Sequence, residues 1–275
     1  MMPPMPTASP IATDTPNTRP TAALQRRPVV FLQHHEHFGP GRLVRQLGDY
    51  GIPTEVRRLD RGDPVPADLD ECRCVVSLGG PMTAASSPDW LEAEVSALAE
   101  RIEADEPTIG IGLGAAVVAK AAGADVRPLT DGDGNEVAEH GFVPIKLPFP
   151  GGTDPLVFGL ADGTPMLMWA TETFDLPKLP PPDGYDPDKP GPPPPSGNAL
   201  IASTPAVKNA AFRFKARTYG FAFHFEQPAA TLAEWVAADG TGRSLADEPS
   251  EAQLARHERM GQRIGTNLVQ FLKVY

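Results

Sequence analysis

An α/β protein with a mostly parallel central sheet flanked by helices is what this sequence predicts, together with a smaller antiparallel region in its second half. Short apolar, β-branched runs alternate with longer amphipathic ones from Val29 to Ala122, the pattern of parallel strands joined by crossover helices. Two of the predicted strands end abruptly in glycine, at Gly79-Gly80-Pro81 and at Gly112, which places sharp turns at one end of the sheet. The composition, 41% hydrophobic and 21% charged over 275 residues, is that of an ordinary globular chain long enough for a sizeable core.

Val29 to Gln33 predicts the first strand, Gly41 to Tyr50 a helix, Thr54 to Arg58 a second strand and Cys74 to Leu78 a third. Asp89 to Glu103 has helical periodicity. Thr108 to Ile111 is a short buried strand, and Leu113 to Ala122 is an alanine-rich helix entered directly from Gly112. Shorter strand candidates follow at Val143 to Leu147, Met166 to Ala170, Ala199 to Ser203, Ala210 to Phe214 and Tyr219 to Phe225; their close spacing predicts the antiparallel region. Helices from Ala229 to Ala238 and from about Ser250 to Leu272 complete the pattern.

Two stretches cannot contribute to a core. Residues 1–27 carry six prolines among Thr, Ser and Asn and read as a disordered tail, and residues 177–197 read as a proline-rich surface insertion within a single domain spanning 28–275. The tail has no apolar stretch of the secretory kind, and no apolar run approaches the roughly 20 residues of a bilayer span, so the expected location is cytoplasmic. A formal charge of -11, with Arg26-Arg27 and Arg57-Arg58 the only arginine pairs in tandem, argues against nucleic acid and anionic membranes as partners. Cys72 and Cys74 are too close along one extended segment to form a disulfide framework. His34, His35 and His37 cluster with Glu36 after the first strand, but a metal needs convergent ligands; the cluster reads as a polar loop, with no metal and no cofactor expected. Met166, Met168 and Trp169 read as core.

Chemistry concentrates at Pro107-Thr-Ile-Gly-Ile-Gly-Leu-Gly-Ala-Ala116, a strand that turns straight into a helix. Such an elbow holds its central residue at a helix N-terminus, where amides and dipole stabilise a thiolate and an oxyanion. The central residue here is Gly112, which has no side chain to attack with. Farther on, His224 and Glu226 stand two apart in an extended segment and so share a face, the arrangement of a base and the carboxylate that orients it.

These segments resemble the class I glutamine amidotransferase family, in particular small stand-alone members similar to the glutaminase part of GMP synthase. Gly112 occupies the position of the family's cysteine and Ala116 that of a glutamine. Leu78-Gly79-Gly80-Pro81-Met82 resembles the turn that helps form the oxyanion hole, and Asp89-Trp90-Leu91 the segment after it. Trp169 with Glu172-Thr173-Phe174-Asp175-Leu176-Pro177 resembles a His-Gly-Asp-Thr-Phe-x-Leu-Pro stretch in which Ala170 replaces the histidine. Tyr219-Gly-Phe-Ala-Phe-His-Phe-Glu226 resembles the strand carrying the other two triad members, with Ala222 and Phe225 departing from it.

The resemblance implies a flavodoxin-like amidotransferase fold, a remnant triad of His224 and Glu226, and a ligand pocket at Gly79, Gly80, Leu113, Ala116, Ala170 and Ala222. Without the thiol, glutamine hydrolysis is not expected, and a binding or regulatory role toward an unidentified small molecule or protein partner is. Two alternatives stand beside it: an enzyme of different chemistry using His224 as general base in a pocket enlarged by the alanines, and an assembly protein acting through the proline-rich insertion.

Overall fold

The computed structural model describes residues 27–66, 69–84, 89–177, 198–238 and 248–274. Almost all of the proline-rich tail (1–26) and of the insertion (178–197) lies outside the described residues.

Seven strands form the main sheet: β1 (Val29–Gln33), β2 (Thr54–Arg58), β3 (Cys74–Ser77), β4 (Thr108–Ile111), β9 (Ala199–Ala202), β10 (Ala211–Phe214) and β11 (Thr218–Phe221), in the order β2-β1-β3-β4-β11-β10-β9. The first five in that order pair in parallel, and β10 and β9 add antiparallel strands at one edge. Burial on both faces explains why β1 and β3 are continuously apolar instead of alternating. Val29, Phe31, Cys74, Val76, Ile109 and Ile111 face one core, and Val30, Leu32 and Val75 the other. Helices α1 (Arg42–Asp49) and α5 (Glu251–Val274) cover the first face; α2 (Asp89–Glu103) and α3 (Leu113–Ala121) cover the second.

Two antiparallel pairs complete the fold: β6 (Glu139–Pro144) with β7 (Pro165–Ala170), and β5 (Asp125–Pro128) with β8 (Glu172–Asp175). Helix α4 (Leu232–Ala238) follows a short 3-10 turn, where the sequence predicts one continuous helix from Ala229. Strand β6 ends where the expected strand at Val143 to Leu147 would begin in earnest, because Pro144 has no N–H for a ladder. Strand β5 escapes the sequence pattern because it is short, largely exposed and closed by proline.

The strand predicted from Tyr219 to Phe225 also needs correction: β11 ends at Phe221. Its partner β10 pairs no farther than Ala211, so beyond Phe221 the chain changes neighbours. Phe223 bridges Met168, and the His224 amide donates to Leu167 O at 2.8 Å. His224 and Glu226 therefore lie on an extension that crosses from the main sheet to β7.

Candidate functional site

Strand β4 runs into α3 through Gly112, whose backbone has φ 59° and ψ -121°. This is a region that L side chains rarely adopt, and glycine enters it without steric cost. The Gly112 amide donates to Phe221 O at 2.8 Å, tying the elbow to the end of β11, while the Gly114 amide donates to Leu78 O at 3.0 Å and ties it to the glycine turn after β3. Three chain segments thus meet at one end of the sheet, as ligand sites on open parallel sheets do.

His224 is buried against this meeting point. Its Nδ1 lies 2.7 Å from Glu226 Oε1, and since an ionised carboxylate only accepts, Nδ1 carries the proton and donates. Glu226 is held in turn: Gln227 Nε2 donates to its Oε1 at 3.2 Å, and its backbone carbonyl accepts from the Arg42 amide at the start of α1. That helix can approach because residue 41 is glycine with φ 52°; a Cβ there would overlap the Glu226 carbonyl. On the far side, the rings of Trp235 and Phe38 stand 4.7 and 6.4 Å from the imidazole, centroid to centroid. Trp235 also packs on Trp169 at 5.0 Å.

The imidazole fills space that a side chain at residue 112 would need. A Cβ built on Gly112 would stand 2.5 Å from His224 Nε2, and one on Gly79 would stand 2.7 Å from Cε1. The imidazole thus stands against the elbow, in the space that a side chain at residue 112 would take.

Of the sequence-predicted pocket residues, Gly80, Leu113, Ala116, Ala170 and Ala222 line one cavity together with Gly112, whereas Gly79 packs against His224 instead. Met82, Trp169, Glu172 and Phe174 also line it. The free volume is about 30 Å³, room for a water or two. Glu172, in the wall of the cavity, accepts from the Ala84 amide at 2.8 Å and so ties down the segment that carries Met82.

Sequence reasoning treated His34 as part of a polar loop; in the fold it is fully buried. Its Nδ1 lies 2.9 Å from Leu78 O and its Nε2 2.8 Å from Glu94 Oε2, while Ser77 Oγ donates to Glu94 Oε1 at 2.7 Å. Trp90 stacks on the imidazole at 5.2 Å. Burial is the largest single influence on this histidine and pulls its pKa down, but the Glu94 carboxylate and the hydrogen bonds to Glu94 and to the backbone of Leu78 and Gly79 outweigh it, and the net shift is upward. The network anchors the glycine turn to α2. Its sequence signal was Glu94 four residues after Trp90, one helical turn on the same face as the segment already singled out. His35 and His37 remain near the surface, and among the described residues no group of three His, Cys, Asp or Glu side chains converges as a metal site requires.

Cys72 and Cys74 are both buried. Burial pushes the Cys74 thiol up to about 12, opposite to what a nucleophile needs. No helix among the described residues is long and apolar enough to cross a membrane.

No protein-family model matches the chain, and no curated protein matches it. Solved structures do. A glutamine amido transferase from Methylobacillus flagellatus superposes with a TM-score of 0.71 at 24% identity, covering 89% of this chain and 95% of that one. A glutamine amidotransferase from Thermotoga maritima gives a TM-score of 0.69 at 21% identity, covering 90% and 97%. With nearly the whole of both chains aligned, the protein has the α/β fold of the solved glutamine amidotransferases.

Proposed function

We propose that this chain is a glutamine amidotransferase-like protein that does not hydrolyse glutamine and whose elbow site serves ligand binding or regulation. The observation that carries this reading is Gly112 at the centre of the elbow, with the His224 imidazole packed into the space of the missing side chain. Glutamine hydrolysis requires a thiolate to attack the side-chain amide, a base to form it and amides to hold the oxyanion. Here the base and its carboxylate persist, but the attacking atom is absent, and removing a triad nucleophile typically costs about 10⁶ in turnover. Neither cysteine substitutes, since both are buried and lie at or before the opposite end of β3.

The test is glutamate release from glutamine by the full chain, compared with a His224→Ala variant. Equal, background-level release is expected; release by the natural protein above that variant overturns the reading.

A second reading is favoured by one feature. Glu226 fixes Nδ1 as the donor, which leaves Nε2 as the basic nitrogen, directed toward Gly112. That is the tautomer a general base needs, and the site would then run a different reaction on a ligand admitted by movement of Met82. A metabolite screen by thermal melting separates the two, because a ligand at 100 times its dissociation constant adds about 2.7 kcal/mol. A stabilising ligand that is also converted, with conversion lost in His224→Ala, supports the second reading; one bound without conversion supports the first.

A further inference from the structure

At the opposite end of β11 from His224 lies one of several clefts larger than the elbow cavity, and none of the chemistry above uses it. It has a volume of about 460 Å³ and is lined by Phe158, Arg213, Tyr219, Asn267, Phe271 and Val274, with Pro155, Ala216 and Gln270 completing the wall. That volume falls in the range of small-molecule sites, against about 30 Å³ for the elbow cavity.

Two features distinguish the cleft from an ordinary surface hollow. Phe158 and Val274, 63% and 75% exposed, are two of the six large hydrophobic residues found exposed among the described residues, and both lie on this one rim. The chain beneath Phe158 is fixed. Asn267 Nδ2 donates to Leu156 O at 3.0 Å and to Phe158 O at 2.9 Å, and Asp154 Oδ1 accepts from the Leu156 amide at 3.0 Å. The backbone that carries the rim is thus held in place, which lowers the ordering cost of binding.

The second feature is charge. Arg213 is the single charged side chain among the described residues lining the cleft, in a chain whose formal charge is -11. Its Nη1 lies 3.2 Å from Asp154 Oδ2, and Asp154 sits behind it, buried and outside the lining, so the carboxylate positions the guanidinium from below. The Arg213 side chain remains 30% exposed toward solvent. Tyr219 OH, also directed at Asp154, and Asn267 supply neutral polar groups beside it.

We propose that this cleft binds a small amphipathic organic anion, its apolar or aromatic body against Phe158, Phe271 and Val274 and its carboxylate or sulfonate on Arg213. The proposal is independent of the reading of the elbow site, from which Tyr219 is separated by roughly 10 Å of strand to Ala222.

Anilinonaphthalene sulfonate, an aromatic anion, and the uncharged dye N-phenylnaphthylamine probe it directly by fluorescence titration of the full chain. Saturable binding of the anion at one site per chain is expected, with the neutral dye weaker by about tenfold, the worth of one charge-assisted hydrogen bond. Phe158→Glu, at an exposed position that leaves the core intact, should weaken the anionic dye by about tenfold or more through lost apolar contact and repulsion. Arg213→Gln should weaken the anion without affecting the neutral dye. Because Arg213→Gln also strips Asp154 of its partner, the comparison of the two dyes on the natural protein carries the charge argument if that variant fails to fold. Non-saturable binding, equal affinity for both dyes, or unchanged binding in folded Phe158→Glu overturns the proposal.

Discussion

Gly112 and His224 have to be considered together. Placing a cysteine at residue 112 introduces a Cβ 2.5 Å from Nε2, at a backbone position of φ 59°. The ring cannot simply swing away, because Glu226 holds its Nδ1 and Trp235 and Phe38 back it. Gly112→Cys is therefore expected to lose about 1–3 kcal/mol of stability, seen as a lower denaturation midpoint, and to remain without glutaminase activity. Robust glutamate release by that single variant would show that the imidazole readily vacates the space. His34 supports a prediction of another kind. Its folded pKa lies above its unfolded value near 6.5, so the stability it contributes is fully present below that value and fades as pH rises through the folded pKa. The difference in thermal midpoint between the natural protein and His34→Gln should accordingly shrink as pH rises above about 6.5. A gap that widens with pH would mean that the ring is buried neutral.

Between elements, close approach decides the architecture of the site. Helix α3 lies directly on β3 and β4, because Gly110 and Gly114 have no side chains: a Cβ on Gly114 would overlap the Ser77 carbonyl, and one on Gly110 the Gly114 carbonyl. Both clashes are with backbone, which cannot rotate away. Gly114→Ala should therefore push α3 off the sheet at a cost of about 1–3 kcal/mol or more, measured by chemical denaturation, although alanine favours helix by up to about 1 kcal/mol at an unconstrained position. A stabilised Gly114→Ala would mean that the contact is looser than described. The extension beyond β11 shows the same logic from the other side, since loss of the β10 partner lets the chain cross to β7 and brings His224 over Gly112.

Across the whole molecule, two cores sandwich one sheet, and both cysteines lie inside. Cys74 has its thiol pushed up to about 12 by burial, which removes it as a thiolate at neutral pH. Neither cysteine is therefore expected to react with an aromatic disulfide reagent at pH 8 in the native protein, and both should react along the global unfolding transition in denaturant. Fast labelling of one thiol under native conditions would reveal local opening around β3 well below the global stability.

What the sequence by itself determined was the order and type of the central elements and the identity of the elbow. Periodicity places β1, β2, α2 and β4 at their observed bounds, and a strand entering a helix through Gly112 is legible because both signals are local. The His224 and Glu226 pair was legible from its spacing, but not the place where their strand ends, which depends on how far β10 runs beside it. Tertiary structure alone decided that His34 is buried on Glu94, that Trp235 and Phe38 wall the imidazole, and that the alanine-lined cavity measures about 30 Å³. It also gathered Phe158, Arg213 and Phe271 into one cleft from three distant segments. These are contacts between residues far apart in the chain, set by packing and not by any local period, so no window along the sequence contains them.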